Sequence, residues 1–448
     1  MKIAVIGGVA AGTSAAAKAR RTDKDAEIVI FEKGKDISYA GCGLPYYISN
    51  LISERDKLLA FTGETFKDKY GVDVRLSHEV TEIDPQNKTL SYKNLKNKEE
   101  GCYEYDKLVI ATGASPVKPP FTGIELGNIF TLRSVKSADK IKAVANAEEN
   151  KEAVIIGAGL IGLEMAESFS EKGLKVKVVE LEDQVLPPFS AEMAEIIAEH
   201  LREKNVELIL DDGVDHFEGK EKVEKVVTGS GKELSADLVL LSIGIRPNSK
   251  LAADSGIETG ETGAIAVNNK LETNIKDVYA AGDCAETVDR LTGKAIWLPL
   301  GSTANKQGRA AGENAAGGDS EHSGIIKTGI TKIFDLTAAR TGLSEEEAKE
   351  HGFDPVSVKI KAKNHAGYYP GAEVINIKGV FDRESKRILG AEVVGGPGSD
   401  KRIDVLIAAI TAGMTADDLF QLDLAYAPPY STPKDPVAVL GMVAQKKL

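Results

Sequence analysis

One cysteine in this chain has a setting that could support chemistry on sulfur. Cys42 lies in the segment Ser-Tyr-Ala-Gly-Cys-Gly-Leu-Pro-Tyr-Tyr, residues 38–47, and none of the five positions that follow it holds a second thiol. Cys42 must therefore react without a local partner with which it could form a disulfide. The thiolate is the reactive form of cysteine, and a helix predicted over 43–48 would stabilise that anion near its N-terminus.

Two segments that lie 150 residues apart repeat one local pattern. Residues 2–12 and 153–162 each contain a short apolar run, a glycine turn and a helix-forming stretch, and each precedes a β-rich run that ends in an acid, Glu32 or Glu180. In a parallel β-α-β unit, such a turn can bind a pyrophosphate and the acid a ribose. The acids follow the last glycines by 20 and 18 residues, close to the spacing expected for ribose binding. Two bound nucleotides are therefore predicted.

The residues after the second acid bear on the choice of coenzyme. The second glycine turn, residues 157–162, has the complete Gly-x-Gly-x-x-Gly pattern, whereas the first has Val9 at its middle position. Leu, Glu and Asp follow Glu180, and no arginine is present there to accept the 2′-phosphate of NADPH. The second unit is therefore predicted to favour NADH, with NADPH as the alternative.

Composition and charge argue against several classes of protein. The chain has 448 residues, three cysteines and a net charge of −12, and its length suggests two to three domains. The sparse, odd set of cysteines favours a reducing, cytoplasmic setting over a disulfide framework. No basic cluster indicates nucleic-acid binding, no apolar run reaches the ~18 residues that cross a bilayer, and the N-terminal run is too short for a signal peptide. No metal site is predicted.

Further strands extend the repeat, and the C-terminal part has a different pattern. Residues 105–116 and 236–247 each indicate a buried strand followed by a Gly/Pro turn, and residues 273–283 indicate a strand that ends in Gly-Asp. The carboxylate of Asp283 could accept a hydrogen bond from a polyol. From Ile326 onward the pattern changes to hairpins followed by a helix, which predicts a separate α+β domain.

Together these segments resemble, from end to end, the pyridine nucleotide-disulfide oxidoreductases, a family of flavoproteins. The resemblance implies an α/β fold with two Rossmann-like nucleotide-binding domains, for FAD and NAD, and a C-terminal α+β dimerisation domain. It also implies an enzyme that passes electrons from NAD(P)H through FAD to a sulfur group. The implied FAD-binding domain spans 1–115 and 249–325, the NAD(P)-binding domain 116–248, and the dimerisation domain 326–448.

The same resemblance assigns the cofactor positions. It places FAD at the first glycine turn, at Thr112-Gly113 and at Gly282-Asp283, and NAD at the second glycine turn. The full set of predicted cofactor-binding residues is Gly7, Gly8, Ala11, Gly12, Glu32, Lys33, Val80, Ala111, Thr112, Gly113, Arg133, Gly157, Gly159, Leu160, Ile161, Gly162, Glu164, Glu180, Gly244, Gly282, Asp283, Thr303 and Ala304.

A single cysteine is typical of one branch of the family. That branch holds coenzyme A (CoA) disulfide reductases, NADH oxidases, NADH peroxidases and persulfide or polysulfide reductases, and the segment around Cys42 is most similar to the first and last of these. Peroxidases and many oxidases of the branch carry a histidine in the first glycine loop, where this chain has Ala10. The resemblance therefore disfavours peroxide or oxygen as the substrate.

Two C-terminal segments resemble CoA disulfide reductases, in which tyrosines of the partner subunit reach the cysteine. The resemblance implies a homodimer in which Tyr368 and Tyr426 join Cys42, with Tyr369 as the alternative to Tyr368. CoA itself is predicted as substrate or as a bound mixed disulfide. The positions that match the CoA contacts of these relatives are Ser14, Lys18, Arg21, Ser38, Asn305, Arg309 and Lys434.

The implied reaction is the reduction of CoA disulfide by NAD(P)H. The Cys42 thiolate would attack the disulfide, release one CoA thiol and keep the other in a mixed disulfide. Tyr426 would protonate or position the departing thiolate. Three alternatives stay open: a CoA persulfide or polysulfide reductase that uses the same cysteine, an NADH oxidase, and a flavin-based redox sensor that is not an enzyme.

Overall fold

The computed structural model describes residues 1–448, and the chain divides into two compact units. Unit 1 comprises Met1–Val117, Leu132–Lys142 and Gly244–Ile325. Unit 2 comprises Lys118–Thr131, Ala143–Ile243 and Ile326–Leu448. Most of the predicted NAD(P)-binding segment and the C-terminal domain thus fall in unit 2, and the domain boundaries proposed from the sequence stay predictions.

Twelve α-helices follow one another along the chain. They are α1 (Ala10–Thr22), α2 (Leu44–Ile48), α3 (Gly63–Tyr70), α4 (Val135–Ala145), α5 (Leu160–Glu171), α6 (Ala191–Glu203), α7 (Lys250–Ala253), α8 (Gly301–Ala315), α9 (Glu345–Glu350), α10 (Ser399–Ala412), α11 (Ala416–Gln421) and α12 (Pro436–Ala444).

The strands are mostly short. They are β1 (Lys2–Ile6), β2 (Glu27–Glu32), β3 (Asp73–Leu76), β4 (His78–Asp84), β5 (Thr89–Asn94), β6 (Glu100–Glu104), β7 (Lys107–Ile110), β8 (Ala114–Pro116), β9 (Ile129–Thr131), β10 (Glu152–Ile156), β11 (Lys175–Val179), β12 (Glu207–Ile209), β13 (Val214–Gly219), β14 (Val223–Thr228), β15 (Glu233–Ser235), β16 (Leu238–Leu241), β17 (Ile245–Pro247), β18 (Val278–Ala280), β19 (Thr287–Val288), β20 (Ala295–Ile296), β21 (Gly329–Ile333), β22 (Leu336–Gly342), β23 (Pro355–Lys363), β24 (Val374–Asp382) and β25 (Ile388–Gly395).

A five-stranded parallel sheet forms the centre of unit 1. Its strand order is β18-β7-β1-β2-β3. The central strands are continuous apolar runs because both faces of a parallel sheet are buried. One face packs in a cluster rich in alanines of α1 and α8, and the other packs in a second apolar cluster. The order and the β1-α1-β2 unit confirm the first predicted Rossmann-like unit.

Two glycines of α8 let it approach α1 closely. A Cβ atom on Gly308 would collide with the backbone of Ala11, and one on Gly312 with the backbone of Ala15. Both glycines occupy ordinary helical positions, so close packing rather than backbone conformation explains the residue type. This contact fixes the helix that follows the first glycine turn.

Unit 2 contains a second parallel sheet and an antiparallel one. The parallel sheet has the order β12-β11-β10-β16-β9, and the C-terminal sheet has the order β21-β22-β25-β24-β23 with antiparallel pairing throughout. Helices α10 and α12 contact the C-terminal sheet. These elements confirm the second Rossmann-like unit and the α+β character of the C-terminal part. None of the helices is long and apolar enough to cross a membrane.

Candidate active site

The first glycine turn joins β1 to α1 in unit 1. Gly7 has φ +100°, and a Cβ atom there would collide with the carbonyl oxygen of Ala111. A Cβ atom on Gly12 would collide with the carbonyl oxygen of Gly7. No side chain caps α1, so the N–H groups of its first turn, which includes Ala11, stay available to an anion. This turn fits the pyrophosphate of FAD.

Glu32 is held at the end of β2 by backbone N–H groups. Its Oε2 accepts a hydrogen bond from Gly8 N at 2.7 Å, and its Oε1 accepts one from Gly34 N at 2.6 Å. Each carboxylate oxygen can accept a second hydrogen bond, so the acid retains capacity for ribose hydroxyls. Lys33 is exposed beside it, and the Val80 side chain is buried in the apolar core of the unit.

Segments far apart in sequence meet at the turn that contains Asp283. A Cβ atom on Gly282 would lie 2.7 Å from the Cβ of Ala11 and 3.4 Å from that of Ala304. Arg133 Nη2 lies 3.6 Å from Asp283 Oδ2. Burial raises the pKa of Asp283, and the charge of Arg133 opposes that shift. Residues predicted from four separate segments are therefore neighbours around one acid.

The remaining predicted residues of unit 1 lie in loops that follow β7 and β16 and at the start of α8. Thr112 Oγ1 donates to the carbonyl oxygen of Asn248 at 2.7 Å, and Asn248 Nδ2 donates to the carbonyl oxygen of Thr112 at 2.8 Å. Gly113 and Gly244 have φ of +71° and +104°. Thr303 is buried in the first turn of α8. Asn248 was not among the predicted residues.

Two further residues that the sequence analysis missed hold the backbone of this turn. Gln307 Oε1 accepts a hydrogen bond from Gly282 N at 2.9 Å, and Trp297 Nε1 donates to the carbonyl oxygen of Asp283 at 2.9 Å. They lie 25 and 14 residues from their partners in sequence. No local motif connects such distant positions, so only the folded chain reveals them.

The second glycine turn, in unit 2, repeats the geometry of the first. Gly157 has φ +102°, and a Cβ atom on Gly162 would collide with the carbonyl oxygen of Gly157. A Cβ atom added to Gly159 would have no neighbouring atom within 4 Å. Helix α5 begins directly after this glycine, and no side chain caps it. Leu160 and Ile161 are partly exposed, at 37% and 42%. The turn fits the pyrophosphate of a second dinucleotide.

Backbone N–H groups hold the carboxylate of Glu180, as they hold that of Glu32. Glu180 Oε2 accepts a hydrogen bond from Ala158 N at 2.6 Å, and its Oε1 accepts one from Glu182 N at 3.1 Å. Glu164 lies one turn into α5, where burial raises its pKa and the Thr331 hydroxyl donates to its Oε1 at 3.1 Å. Unit 2 therefore holds both acids, Glu164 and Glu180, that were predicted together with the second glycine turn, whereas Gly244 falls in unit 1; their binding of a pyridine nucleotide stays a prediction.

Cys42 is exposed, and it lies in a 3₁₀ turn directly before α2. None of the three cysteines is paired in a disulfide. Cys284 is fully buried, with its Sγ 3.4 Å from the carbonyl oxygen of Ala281, and burial raises its pKa. Cys102 is exposed on β6, outside any glycine turn. Cys42 is the one thiol that combines exposure with the start of a helix.

A polar cluster anchors the helix that follows Cys42. Tyr47 Oη donates to Asp139 Oδ1 at 3.0 Å, and Lys142 Nζ donates to the carbonyl oxygen of Tyr47 at 2.8 Å. Arg55 bridges Asp36 at 2.7 Å and Asp139 at 3.3 Å. Helix α2 has only five residues, so these contacts rather than its own hydrogen bonds must fix its orientation.

Some of the predicted CoA positions share one surface of α1 and α8. Asn305 Nδ2 donates to Ser14 Oγ at 2.8 Å, and Lys18 Nζ lies 3.0 Å from Glu313 Oε2. Arg309 is exposed one turn beyond Asn305 on α8. This surface carries both hydrogen-bonding groups and positive charge, which a phosphorylated nucleotide requires.

The other predicted CoA positions lie elsewhere. The Arg21 guanidinium lies 5.5 Å from the ring centre of Tyr70, and its Nη2 donates to the tyrosine hydroxyl at 3.2 Å. Ser38 has φ +49°, and its backbone N–H donates to the carbonyl oxygen of Gly8 at 2.8 Å. Lys434 is exposed in unit 2, in the loop between α11 and α12. Their role toward CoA stays a prediction.

Two tyrosines from separate loops of unit 2 contact each other. A hydrogen bond with Tyr368 raises the pKa of Tyr426. Both side chains are exposed, at 77% and 48%. Tyr369 instead packs edge-on against His365, with ring centres 5.6 Å apart. Of the two adjacent tyrosines considered in the sequence analysis, Tyr368 is thus the one that contacts Tyr426.

Two Rossmann-like units, each with a glycine turn, are typical of an oxidoreductase that uses two dinucleotides. The model of the family described as "Pyridine nucleotide-disulphide oxidoreductase" matches residues 1–308, and the model of that family's dimerisation domain matches residues 329–436. The chain belongs to the pyridine nucleotide-disulphide oxidoreductase family, as the sequence predicted. It is an FAD-dependent oxidoreductase that acts on sulfur.

Relatives of known name cover nearly the whole chain. A CoA-dependent NAD(P)H sulfur oxidoreductase of Pyrococcus furiosus is 42% identical over 443 residues, which span 99% of this chain and 98% of the relative. CoA disulfide reductase of Staphylococcus aureus is 36% identical over 445 residues, 99% of this chain and 100% of the relative. The structure of an NAD-dependent persulfide reductase from A. fulgidus superposes with a TM-score of 0.97 at 44% identity, covering 100% of this chain and 83% of that one. Proteins named NADH oxidase are among the relatives too.

Proposed function

We propose that this protein reduces CoA disulfide with electrons from NADH, through FAD and a mixed disulfide between Cys42 and CoA. The observation that carries the proposal is the exposed thiol of Cys42 at the start of α2, which forms no disulfide, in a chain without a neighbouring second thiol. A small-molecule thiol can then serve as the missing partner of the cysteine. The relatives named for CoA support CoA as that thiol.

The proposed reaction balances as NADH + H⁺ + CoA disulfide giving NAD⁺ and two CoA thiols. The Cys42 thiolate attacks one sulfur of CoA disulfide, a new S–S bond forms to that sulfur, and the other CoA leaves as a thiolate. Bound FAD supplies the two-electron transfer from the nicotinamide to the mixed disulfide. Cleavage of the mixed disulfide returns Cys42 to the thiolate and releases the second CoA.

Tyr426 is proposed to supply the proton that the departing CoA thiolate needs. A phenol can donate a hydrogen bond or a proton to such an anion. Its hydrogen bond with Tyr368 raises the pKa of Tyr426, so the phenol stays protonated throughout the neutral range. In the proposed homodimer, the tyrosines of one subunit serve Cys42 of the other; the matched dimerisation domain supports this arrangement.

NADH is proposed as the favoured pyridine nucleotide. The Glu180 carboxylate can accept hydrogen bonds from the 2′- and 3′-hydroxyls of the adenosine ribose, and it would repel a 2′-phosphate. Leu181, Glu182 and Asp183 follow it, and none of them can pair with a phosphate. Leu181 is 69% exposed, so a longer basic side chain could be accommodated at that position.

The double substitution Glu180→Ala/Leu181→Arg is expected to shift the coenzyme preference toward NADPH. It removes the ribose acceptor and adds a cation for the 2′-phosphate, so the ratio of kcat/KM for NADPH to that for NADH should rise roughly 10- to 100-fold. Steady-state kinetics with both coenzymes measures the ratio, and Leu181→Ala serves as the matched control. An unchanged ratio would show that Glu180 does not contact the ribose.

A second candidate is the reduction of CoA persulfide or polysulfide. The relatives of P. furiosus and A. fulgidus favour it, because they are named for sulfur or persulfide and are 42% and 44% identical to this chain. The chemistry of Cys42 would be the same, since a persulfide also offers an S–S bond to a thiolate. Only the group that leaves would differ.

Anaerobic NADH consumption by the FAD-loaded protein distinguishes these substrates. CoA disulfide, CoA persulfide, polysulfide, oxidised glutathione and peroxide are compared at equal concentration, and oxygen uptake is measured separately. The proposal predicts the highest kcat/KM with CoA disulfide. A higher kcat/KM with persulfide or polysulfide would establish the second candidate, and rapid oxygen consumption unaffected by CoA disulfide would instead indicate an NADH oxidase.

A further inference from the structure

A buried arginine in unit 2 lies beneath the two loops that carry Tyr368 and Tyr426. Arg402, on α10, is only 1% exposed and is among the largest fully buried side chains of the protein. Its Nη2 lies 2.8 Å from Asp435 Oδ2 in an ion pair whose side chains are 2% and 5% exposed. A buried cation requires such a partner, because removal from water is costly for a charged group.

The same guanidinium binds the backbone of both loops. One loop, residues 364–373, connects β23 to β24 and contains Tyr368; the other, residues 422–435, connects α11 to α12 and contains Tyr426. Arg402 Nη2 donates to the carbonyl oxygen of Asn364 at 2.9 Å and to that of Tyr430 at 3.2 Å. One planar group thus fixes the position of one loop relative to the other.

Further contacts stabilise the junction that Arg402 and Asp435 form beneath the two loops. Ser431 Oγ donates to Asp435 Oδ2 at 2.7 Å and lies 3.3 Å from Arg402 Nη2. Asp435 Oδ1 accepts the N–H of Val437 at 3.0 Å and so caps α12. The loops also bind each other directly, since Ala366 N donates to the carbonyl oxygen of Pro428 at 3.2 Å.

Stability alone does not explain why position 402 holds an arginine. Well-packed apolar side chains can replace a buried ion pair without loss of stability. An apolar side chain cannot, however, bind two loop carbonyl groups in a fixed geometry. In Arg402 both carbonyl contacts come from Nη2. The planar guanidinium fixes the direction of these N–H groups, because its Nε and Nη2 together hold the two oxygens of Asp435 as a fork.

We propose that Arg402 is a positioning residue for the reaction, which acts by holding the loops of Tyr368 and Tyr426 so that the two hydroxyls meet. This inference rests on the proposed function, in which Tyr426 acts on the departing thiolate. It concerns a residue whose hydrogen bonds go to neither tyrosine side chain. Small displacements of a reacting group have large effects on rate. Loss of the Arg402 guanidinium should therefore lower turnover more than it weakens substrate binding.

The test uses the FAD-loaded full chain and a double-mutant cycle. Arg402→Lys keeps the charge and loses the fork, and Ser431→Ala removes one side chain of the junction while leaving the ion pair. Each is made alone and combined with Tyr426→Phe. Arg383→Lys is the matched control, because Arg383 forms an exposed ion pair with Asp354 in the same unit at 3.1 Å. The readouts are kcat and KM for CoA disulfide, and NADH-dependent ferricyanide reduction, which needs the nucleotide sites but not the tyrosines.

Arg402→Lys is expected to lower kcat about 10-fold, and Ser431→Ala about 3-fold, with KM and ferricyanide reduction nearly unchanged. In the Tyr426→Phe background, neither substitution should lower kcat further. Effects that multiply in that background, or equal losses in the ferricyanide assay, would overturn the inference while leaving Tyr426 in its proposed role. A Tyr426→Phe variant with unchanged kcat would overturn that role and the inference together. If Arg402→Lys does not fold, the Ser431→Ala cycle decides alone.

Discussion

Replacing Cys42 with serine is expected to lower kcat for CoA disulfide reduction by about 10³-fold or more, because removing a covalent nucleophile removes the intermediate itself. A serine hydroxyl stays protonated at neutral pH and cannot form the mixed disulfide. Reduction of the bound FAD by NADH and ferricyanide reduction should both remain, since neither of the proposed nucleotide sites includes the cysteine. Stopped-flow absorbance and steady-state assays measure the two halves of the cycle separately.

Cys102→Ser is the matched control for this substitution. Cys102 is exposed as Cys42 is, but it lies on an antiparallel strand away from the glycine turns. Its replacement should leave every rate unchanged. Comparable losses in both variants, or full activity in Cys42→Ser, would contradict the proposed role of Cys42.

Tyr426→Phe is the second substitution with a large expected effect. Loss of the hydroxyl should lower kcat for CoA disulfide about 10²-fold, the usual contribution of a positioned proton donor, and change KM little. Tyr369→Phe is the matched control, because Tyr369 packs against His365 instead of joining the pair. If Tyr369→Phe shows the larger loss, the assignment of the reactive pair is wrong.

The pH dependence of the same reaction tests the contact between the tyrosines. Because the hydrogen bond with Tyr368 raises the pKa of Tyr426, the proton donor is lost only when the pH rises above the ordinary range of tyrosine. Tyr368→Phe removes that hydrogen bond and should lower the pKa of Tyr426. The alkaline fall in kcat should then begin at a lower pH than in the wild type. A profile that does not move, or that moves to higher pH, would contradict the contact.

Mixed dimers test whether the tyrosines act across subunits. If the partner supplies Tyr426, a heterodimer of Cys42→Ser and Tyr426→Phe chains contains one intact site, and random exchange should restore about a quarter of the wild-type activity. If each subunit supplies its own tyrosine, no site is intact and activity stays at the level of the separate variants.

The sequence alone predicted the features that depend on local pattern. Glycine turns at fixed spacing, apolar strands and the two acids together indicated two Rossmann-like units, and the structure confirms both. Such features are readable because each depends on a short segment: Gly7 needs φ +100°, and Glu32 binds the N–H groups of the turn beside it. The family followed from the same residues.

Contacts between distant segments were not predictable in this way. Gln307 and Trp297 hold the Asp283 turn from another helix and another hairpin, and a glutamine or a tryptophan carries no motif for that role. In the sequence, Arg402 is one of several charged residues of α10. Only its burial against two loops distinguishes it from the others. The pairing of Tyr426 with Tyr368 rather than Tyr369 depends on loop conformation, which residue type does not determine.

Intact-mass and peptide mass spectrometry after incubation with CoA disulfide tests the central claim most directly. The proposed cycle predicts a CoA-sized adduct on the peptide that contains Cys42, its removal by NADH in the FAD-loaded protein, and its absence in Cys42→Ser. A protein that acquires no adduct, or acquires it on Cys102, would contradict the mixed-disulfide mechanism. A sulfenic acid on Cys42 in place of the adduct would contradict it as well and indicate oxidase or peroxidase chemistry.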